Sequence, residues 1–216
     1  MVLSLENISK SFGERKLFTN LSLELEAGEI YSLMGANGSG KTTLFNILTG
    51  FVKADSGKIL FNNIEINSKS PAEINKLGIA RTFQDLRLIN GLSVRDNVLM
   101  VMEKKMFHIA TNEEYKKVDG ILDRVSLLNH AEHLGSDLSY GQQKLLTLGC
   151  CLANNPKLML LDEPIAGIDK DNKEKIKEII LSLKNEGITI LQVEHDIEYI
   201  KSTSDKILYL QKKFEL

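Results

Sequence analysis

The sequence predicts an α/β fold with a mostly parallel, doubly wound sheet at its core. Short apolar runs alternate with helical segments, and strands that alternate with helices favour a parallel sheet. Residues 157–161 (KLMLL) form a continuous apolar run, which is typical of a strand buried on both faces. A third observation is the glycine-rich stretch GANGSGKTT at residues 35–43, which lies between a predicted strand and a predicted helix.

The first part of the chain predicts β-strands and a hairpin. Leu21, Leu23 and Leu25 alternate with polar residues in the manner of a half-buried strand. Residues 58–66 predict a hairpin, since an Asn-Asn pair separates two apolar runs. Further short runs predict strands at 30–34 and 79–83, and the pattern after the glycine stretch predicts a helix over 42–48.

The middle of the chain changes to a helical period, from Val94 to about His133. We expect a helical subdomain, spanning approximately residues 85–155, inserted into a single domain that covers residues 1–216. After it the core resumes with the 157–161 strand, a charged helix over 170–184, and strands over 188–193 and 206–210.

Composition excludes some classes of function. The formal net charge of the 216 residues is −2, so no basic field is available to hold nucleic acid or an anionic membrane surface. The two cysteines, Cys150 and Cys151, are adjacent, which favours a reducing compartment. No apolar run approaches the roughly 20 residues of a spanning helix, and the N-terminal residues lack a signal-peptide pattern. We therefore expect a cytoplasmic protein without direct membrane insertion, whose membrane role, if any, comes through a partner.

The stretch GANGSGKT fits G-x-x-x-x-G-K-[ST], the phosphate-binding loop. Its glycines let consecutive backbone N–H groups turn towards anionic oxygens, and the following helix N-terminus adds unpaired donors. Lys41 can reach the β- and γ-phosphates of a nucleotide, and the Thr42 hydroxyl can bind Mg²⁺. The alternative is a glycine-rich surface turn, which the flanking strand and helix disfavour.

A second candidate site is the run LMLLDEP at residues 158–164, an apolar strand that ends in two carboxylates. Asp162 is placed to hold Mg²⁺ through its water shell, and Glu163 can orient or deprotonate an attacking water. The alternative is a capped strand end with solvated acids.

The run LSYGQQ at residues 138–143 predicts a second helix N-terminus suited to phosphate. Ser139 fits an N-cap and Gln142, three residues on, fits a capping box. Gly141 allows close approach at the first turn. Taken alone, the run predicts an ordinary helix start, but it lies shortly before the carboxylate strand.

In this order the motifs resemble those of the ATP-binding subunits of ABC transporters, over nearly the whole chain. The 35–43 loop resembles Walker A, LSYGQQ the signature motif, and residues 158–163 Walker B with the catalytic glutamate. IAGID at 165–169 resembles the D-loop, EHD at 194–196 the switch histidine, and Gln84 in ARTFQDLRL the Q-loop. Taken singly, Gln84 is more often a polar loop residue, His195 is more often structural, and Phe12 could equally pack in the core.

The resemblance implies an α/β P-loop NTPase fold of the ABC ATPase type, with a mostly parallel sheet core, an N-terminal antiparallel β subdomain and an inserted helical subdomain. It also implies an ATP hydrolase with ATP and Mg²⁺ as cofactors. It implies catalytic roles for Glu163, His195 and Gln84, and metal binding by Thr42, Gln84 and Asp162. It also implies nucleotide binding, with Phe12 stacking on adenine, by the following residues: Phe12, Gly35, Asn37, Gly38, Ser39, Gly40, Lys41, Thr42, Thr43, Ser139, Gly141, Gln142 and Asp169.

The family further implies a head-to-tail dimer, a homodimer or a heterodimer with a second ATPase subunit, in which each ATP lies between one Walker A and the other signature. Its partners would be transmembrane permease subunits, with the chain peripheral on the cytoplasmic face of the cell membrane. Tyr140 and the segments IARTFQDLRL and VEHDIEYI resemble ATPases of branched-chain amino-acid uptake, with urea-type and lipopolysaccharide-export ATPases as relatives. Leu145 and Cys150 depart from the family, which usually has arginines there.

Two other functions remain open at this stage. A soluble, single-unit ABC ATPase of the cofactor-assembly type would carry the same motifs. A GTPase or small-molecule kinase would share the phosphate loop, but no N-K-x-D segment is present and LSYGQQ would be unexplained.

Overall fold

The computed structural model describes residues 1–102 and 110–210 and contains two sheets. The first is antiparallel, in the order β2-β1-β4-β5. Its strands are β1 (Leu3–Phe12), β2 (Arg15–Leu25), β4 (Ser56–Phe61) and β5 (Ile64–Glu65). Asn62 and Asn63 have φ of 47° and 63°, which gives the two-residue turn of the predicted hairpin its left-handed backbone.

The second sheet is fully parallel and has the strand order β6-β7-β8-β3-β9. Its strands are β3 (Ile30–Met34), β6 (Ile79–Arg81), β7 (Leu158–Asp162), β8 (Thr189–Val193) and β9 (Lys206–Tyr209). The predicted 79–83 strand is shorter than expected. The Thr82 N–H still donates to the Leu160 carbonyl, but the next N–H along β7, that of Asp162, donates to the Thr82 hydroxyl and not to a main-chain carbonyl.

Seven α-helices pack around the sheets in the two described ranges. They are α1 (Lys41–Leu48), α2 (Pro71–Leu77), α3 (Val94–Met102), α4 (Asn112–Arg124), α5 (Tyr140–Leu152), α6 (Lys170–Asn185) and α7 (Ile197–Thr203). Helices α3, α4 and α5 contact one another in the middle of the chain, where the sequence predicts the helical subdomain. The predicted bounds of that subdomain stay a prediction, and residues 103–109 of it lie outside the described residues.

The strand β7 explains the continuous apolar run, because its side chains alternate between two apolar clusters. Leu158 and Leu160 lie in a cluster with both sheets and α1, whereas Met159 and Leu161 lie in a cluster with α3 to α6. All four are fully buried. The parallel sheet therefore has both faces covered, and the carboxyl ends of β3, β6, β7 and β8 meet at one edge, where ligands of such sheets bind.

Candidate nucleotide-binding site

The phosphate loop connects β3 to α1, and its backbone requires glycine. Gly38 and Gly40 have φ of 72° and 102°. A Cβ at Gly40 would lie 2.6 Å from a ring carbon of Phe18, and one at Gly35 would lie 2.7 Å from the Ser39 hydroxyl. Gly40 is the N-cap of α1 and supplies no side-chain acceptor, so the first N–H groups of the helix stay available for an anionic ligand.

Lys41 folds back over this loop. Its Nζ donates to the carbonyl oxygens of Gly35 at 2.7 Å and Ala36 at 3.3 Å. The Ser39 hydroxyl is buried and has no hydrogen-bond partner in the described part of the chain. A cradle of donors with an unsatisfied hydroxyl fits the phosphate groups of a nucleotide.

A cavity of about 490 Å³ lies beside the loop and collects most of the predicted residues. Its lining includes ten of them: Phe12, Asn37, Gly38, Gly40, Lys41, Thr42, Thr43, Asp162, Glu163 and His195. The rest of the wall consists of Leu17, Val193 and Arg15. The sequence analysis did not assign Arg15 to the site.

Arg15 and Phe12 form the outer rim of this cavity. They are paired across the β1–β2 hairpin, and Arg15 donates to the Gly38 carbonyl at 3.1 Å. Phe12 is 52% exposed at this rim, and the Lys10 ammonium lies 5.1 Å from the centroid of its ring. The signal that could have identified Arg15 is its place across a tight turn from the predicted adenine-stacking ring.

Asp162 ends β7 and is held by a buried ion pair that the sequence did not reveal. Its Oδ2 lies 3.2 Å from a guanidinium nitrogen of Arg81, and both side chains are 4% exposed. Arg81 also donates to Asn46 Oδ1 at 2.6 Å and lies over the rings of Phe45 and Phe83. Burial lowers the pKa of Arg81, and the Asp162 carboxylate opposes that shift. The available signal was an arginine inside an otherwise apolar strand.

Glu163 follows in a strained backbone conformation with φ of 50°. Its N–H donates to the Val193 carbonyl at 3.0 Å, and its carbonyl accepts from the Lys144 ammonium at 2.5 Å. Lys144 is buried on α5. Burial lowers its pKa, and the carboxylates of Glu194, Glu163 and Asp162 oppose that shift. The main chain of the proposed catalytic glutamate is therefore fixed from two sides.

His195 lies opposite Glu163, with 3.6 Å between Nε2 and Oε1. The preceding Glu194 is buried and accepts from two backbone N–H groups, those of Ile165 at 3.0 Å and His195 at 3.2 Å. Burial raises the pKa of Glu194, and these two hydrogen bonds oppose the shift. The loops after β7 and β8 are thus tied together by one carboxylate that sequence reasoning did not assign.

The signature residues lie outside the cavity but have the predicted local geometry. Ser139 is the N-cap of α5: its Oγ accepts from the N–H of Gln142 at 3.3 Å, and Gln142 Oε1 accepts from the N–H of Ser139 at 2.9 Å. A Cβ at Gly141 would lie 2.5 Å from the amide nitrogen of Asn172, which donates to Asp169, the N-cap of α6. The signature and the D-loop are therefore neighbours within one chain.

Gln84 also lies outside the cavity. It is exposed three residues after β6 and is absent from the cavity wall. The structure thus brings the Walker A, Walker B and switch residues together, and leaves Gln84 and the signature elsewhere.

The site fits Mg²⁺ only in combination with phosphate. In the described ranges, no cluster of three or more His, Cys, Asp or Glu side chains is arranged for a metal ion. Magnesium is commonly held by one or two carboxylates together with substrate phosphates and water, and Asp162 and Thr42 line the same cavity.

Known proteins have sequences related to most of this chain. A profile of the ABC transporter family matches residues 18–166. The high-affinity branched-chain amino acid transport ATP-binding protein LivG of Escherichia coli K12 is 34% identical over 220 residues, which cover 95% of this chain and 86% of LivG. A probable LivG of Methanocaldococcus jannaschii is 36% identical over 217 residues, which cover 95% of this chain and 84% of that protein.

Solved structures agree with the predicted fold. A nucleotide-free ATP-binding cassette from an ABC transporter matches with a TM-score of 0.87 and 34% identity, covering 97% of this chain and 88% of that chain. A dimeric cassette in a post-hydrolysis state with bound ADP and Pi matches with a TM-score of 0.85 and 31% identity, covering 97% and 94%. The expected α/β P-loop fold, with a parallel core and an antiparallel N-terminal sheet, is confirmed, and the chain belongs to the ABC transporter family as an ATP-binding ATPase.

Proposed function

We propose that this chain is the ATP-hydrolysing subunit of a transporter for amino acids of the branched-chain type, acting through transmembrane permease subunits. The observation that carries the proposal is the division of the site. One chain brings the phosphate loop, Glu163 and His195 around a single cavity, whereas its signature helix begins outside that cavity. A complete site then needs the signature of a second chain, as in a head-to-tail dimer.

The related proteins support branched-chain amino acids as the substrate class. LivG proteins of a bacterium and an archaeon are 34% and 36% identical over 95% of this chain. In the described ranges no helix has both the length and the apolar character needed to cross a bilayer. We propose that the chain docks on the cytoplasmic face of the membrane and takes part in uptake.

The chain's own residues define the proposed reaction. The α1 N-terminus, Lys41 and the glycine N–H groups bind the β- and γ-phosphates of ATP, with Phe12 stacked on adenine. Glu163 accepts a proton from the attacking water, and His195 donates to the γ-phosphate. Thr42, Asp162 and Gln84 would hold Mg²⁺, which neutralises charge on the phosphate oxygens when it is bound.

Closure of the dimer would complete each site. The N-terminal groups of α5, namely Ser139, Gly141 and Gln142, would meet the γ-phosphate bound by the other chain, with Asp169 beside them. Gln84, exposed here, would enter the site as the subunits approach. Transport energy then comes from the difference in stability that ATP and ADP confer on the closed state.

Glu163→Gln tests the catalytic part of this proposal. The variant keeps the phosphate loop but loses the carboxylate that takes the proton, so ATP should trap a dimer that light scattering detects. The control is Glu178→Gln, an exposed glutamate on α6. A Glu163→Gln chain that stays monomeric at millimolar ATP, alone and with any second ATPase that co-purifies with it, would refute the dimer.

Co-purification tests the transport part. A tagged chain is recovered from detergent-solubilised native membranes, and its partners are identified by mass spectrometry. Polytopic membrane proteins, with or without a second ATPase, are the expected partners. Recovery of soluble partners alone, with the chain absent from membranes, would replace transport by the cofactor-assembly function.

A further inference from the structure

Two histidines lie directly beside the signature motif, in the segment that precedes α5. His130 Nε2 lies 3.0 Å from the amide nitrogen of Gln142, and His130 Nδ1 lies 3.2 Å from His133 Nδ1. The two rings are 5.1 Å apart between centroids. The proposed reaction assigns no role to either histidine.

The hydrogen-bond chain has only one consistent direction. Gln142 Oε1 already accepts the N–H of Ser139, and a backbone N–H can only donate, so the orientation of the amide is fixed. The amide nitrogen that faces His130 is therefore a donor. His130 Nε2 must accept, and it carries no hydrogen.

The second histidine completes the chain. With Nε2 free of hydrogen, a neutral His130 carries its proton on Nδ1 and donates to His133 Nδ1. His133 must then carry its own proton on Nε2. A proton on both nitrogens of His130 would place two N–H donors against each other, so the contact requires a neutral ring.

The backbone holds this pair in place relative to the helical subdomain. His133 donates its N–H to the His130 carbonyl, and its own carbonyl accepts from the N–H of Val94 at the start of α3. His130 is half-buried, while His133 is exposed. The segment that carries His130 is thus fixed to the start of α3, which packs against the signature helix α5.

We propose that His130 is a positioning residue for the signature glutamine. By accepting a hydrogen bond from Gln142 Nε2, His130 keeps Gln142 Oε1 directed at the Ser139 N–H and so preserves the capping box. Ser139 Oγ accepts from the N–H of Gln142, which leaves the hydroxyl hydrogen free to donate. This inference rests on the proposed role of the signature at the ATP of a second chain.

The tautomer of His130 gives a test in the isolated chain. The sequence has four histidines, so their ring nitrogens can be resolved by ¹H–¹⁵N correlation spectroscopy and assigned by single substitution. Above about pH 7.5, where an ordinary imidazole is neutral, we expect hydrogen on Nδ1 in His130 and on Nε2 in His133. Hydrogen on His130 Nε2 would overturn the proposal.

Variants test whether His130 acts through Gln142. In the Glu163→Gln background, His130→Phe should weaken the ATP-dependent dimer by about tenfold, the scale of one lost hydrogen bond. His130→Gln places a carbonyl acceptor near the Nε2 position and should restore most of the affinity. His133→Ala is the matched control and should change affinity little, because water can accept from His130 Nδ1.

A double-mutant cycle separates positioning from packing. In a Gln142→Ala background, His130→Phe should cause no further loss of dimer affinity. An equal loss in both backgrounds would show that the ring acts through packing and would overturn the inference. If no variant dimerises with ATP, the dimer proposal fails, and the tautomer measurement still decides the His130 contact.

Discussion

Replacing Arg81 by methionine should strongly destabilise the fold, because it leaves the Asp162 carboxylate buried without its cation. Arg81 and Asp162 form an ion pair whose side chains are both 4% exposed, at the carboxyl end of neighbouring strands. Methionine fills much of the apolar volume between Phe45 and Phe83, so the substitution leaves little empty space and the loss of packing energy is small. The perturbation therefore isolates the charge.

The magnitude follows from the burial. Removing one partner of a buried ion pair costs about 3–5 kcal/mol, because the remaining charge is uncompensated. For a chain of this length each kcal/mol shifts Tm by about 2–4 °C. The expected decrease for Arg81→Met is therefore roughly 6–20 °C. The lost hydrogen bond to Asn46 acts in the same direction.

The assay is thermal unfolding followed by circular dichroism, with Arg124→Met as the matched control. Arg124 pairs with Glu186 at 2.6 Å, but these side chains are 41% and 45% exposed, and such pairs contribute about 0.2–1 kcal/mol. Adding Asp162→Asn to Arg81→Met should recover most of the loss. Equal Tm shifts for the two arginine variants, or no recovery in the double variant, would refute the argument from burial.

Three further predictions concern the neighbouring loops and the signature helix. Lys144→Met removes the cation from the Glu163 carbonyl and should lower kcat by about 100-fold, the scale of a small misplacement, with ATP affinity retained in a binding assay; unchanged kcat would contradict this role. Burial raises the pKa of Glu194, so the folded state holds this proton more tightly than the unfolded state, and the stability gained in this way is lost as pH rises above the ordinary value of 4.5. Glu194→Gln does not titrate, so its Tm should rise relative to that of the native chain between pH 4.5 and neutrality. A Tm difference that stays constant over this range would contradict the predicted sign. Gly141→Ala places a Cβ 2.5 Å from an amide nitrogen on α6 and should cost about 1–3 kcal/mol, whereas Gly120→Ala, with open space in α4, should stabilise by about 1 kcal/mol; the order of the two Tm values decides.

The sequence predicted the parts of the site that depend on local spacing. The phosphate loop, the capping box at Ser139 and the β7 run are contiguous, and each has a backbone requirement that residue types reveal. On β7, for example, every side chain before Asp162 is buried, on one face of the sheet or the other, and each of them is apolar. Local patterns of this kind carry their own evidence.

The supporting contacts could not be predicted in the same way, because they join distant parts of the chain. Arg81 and Asp162 are 81 residues apart, and Lys144 and Glu163 are 19 apart. Nothing in a single sequence gives the distance between such residues. Only the strand order places β6 beside β7 and turns a charged residue in an apolar run into the partner of a carboxylate.

These contacts also bear on how the proposed dimer would work. Two of the groups expected to meet phosphate and Mg²⁺ already have partners within the chain: Lys41 donates to loop carbonyls, and Asp162 pairs with Arg81. Binding therefore exchanges one set of polar contacts for another, and an exchange yields only a small net free energy. The N–H groups at the start of a second chain's α5 that the capping box does not use would add contacts without such an exchange. A mechanism in which closure of the dimer supplies the work is therefore consistent with how each half-site is built.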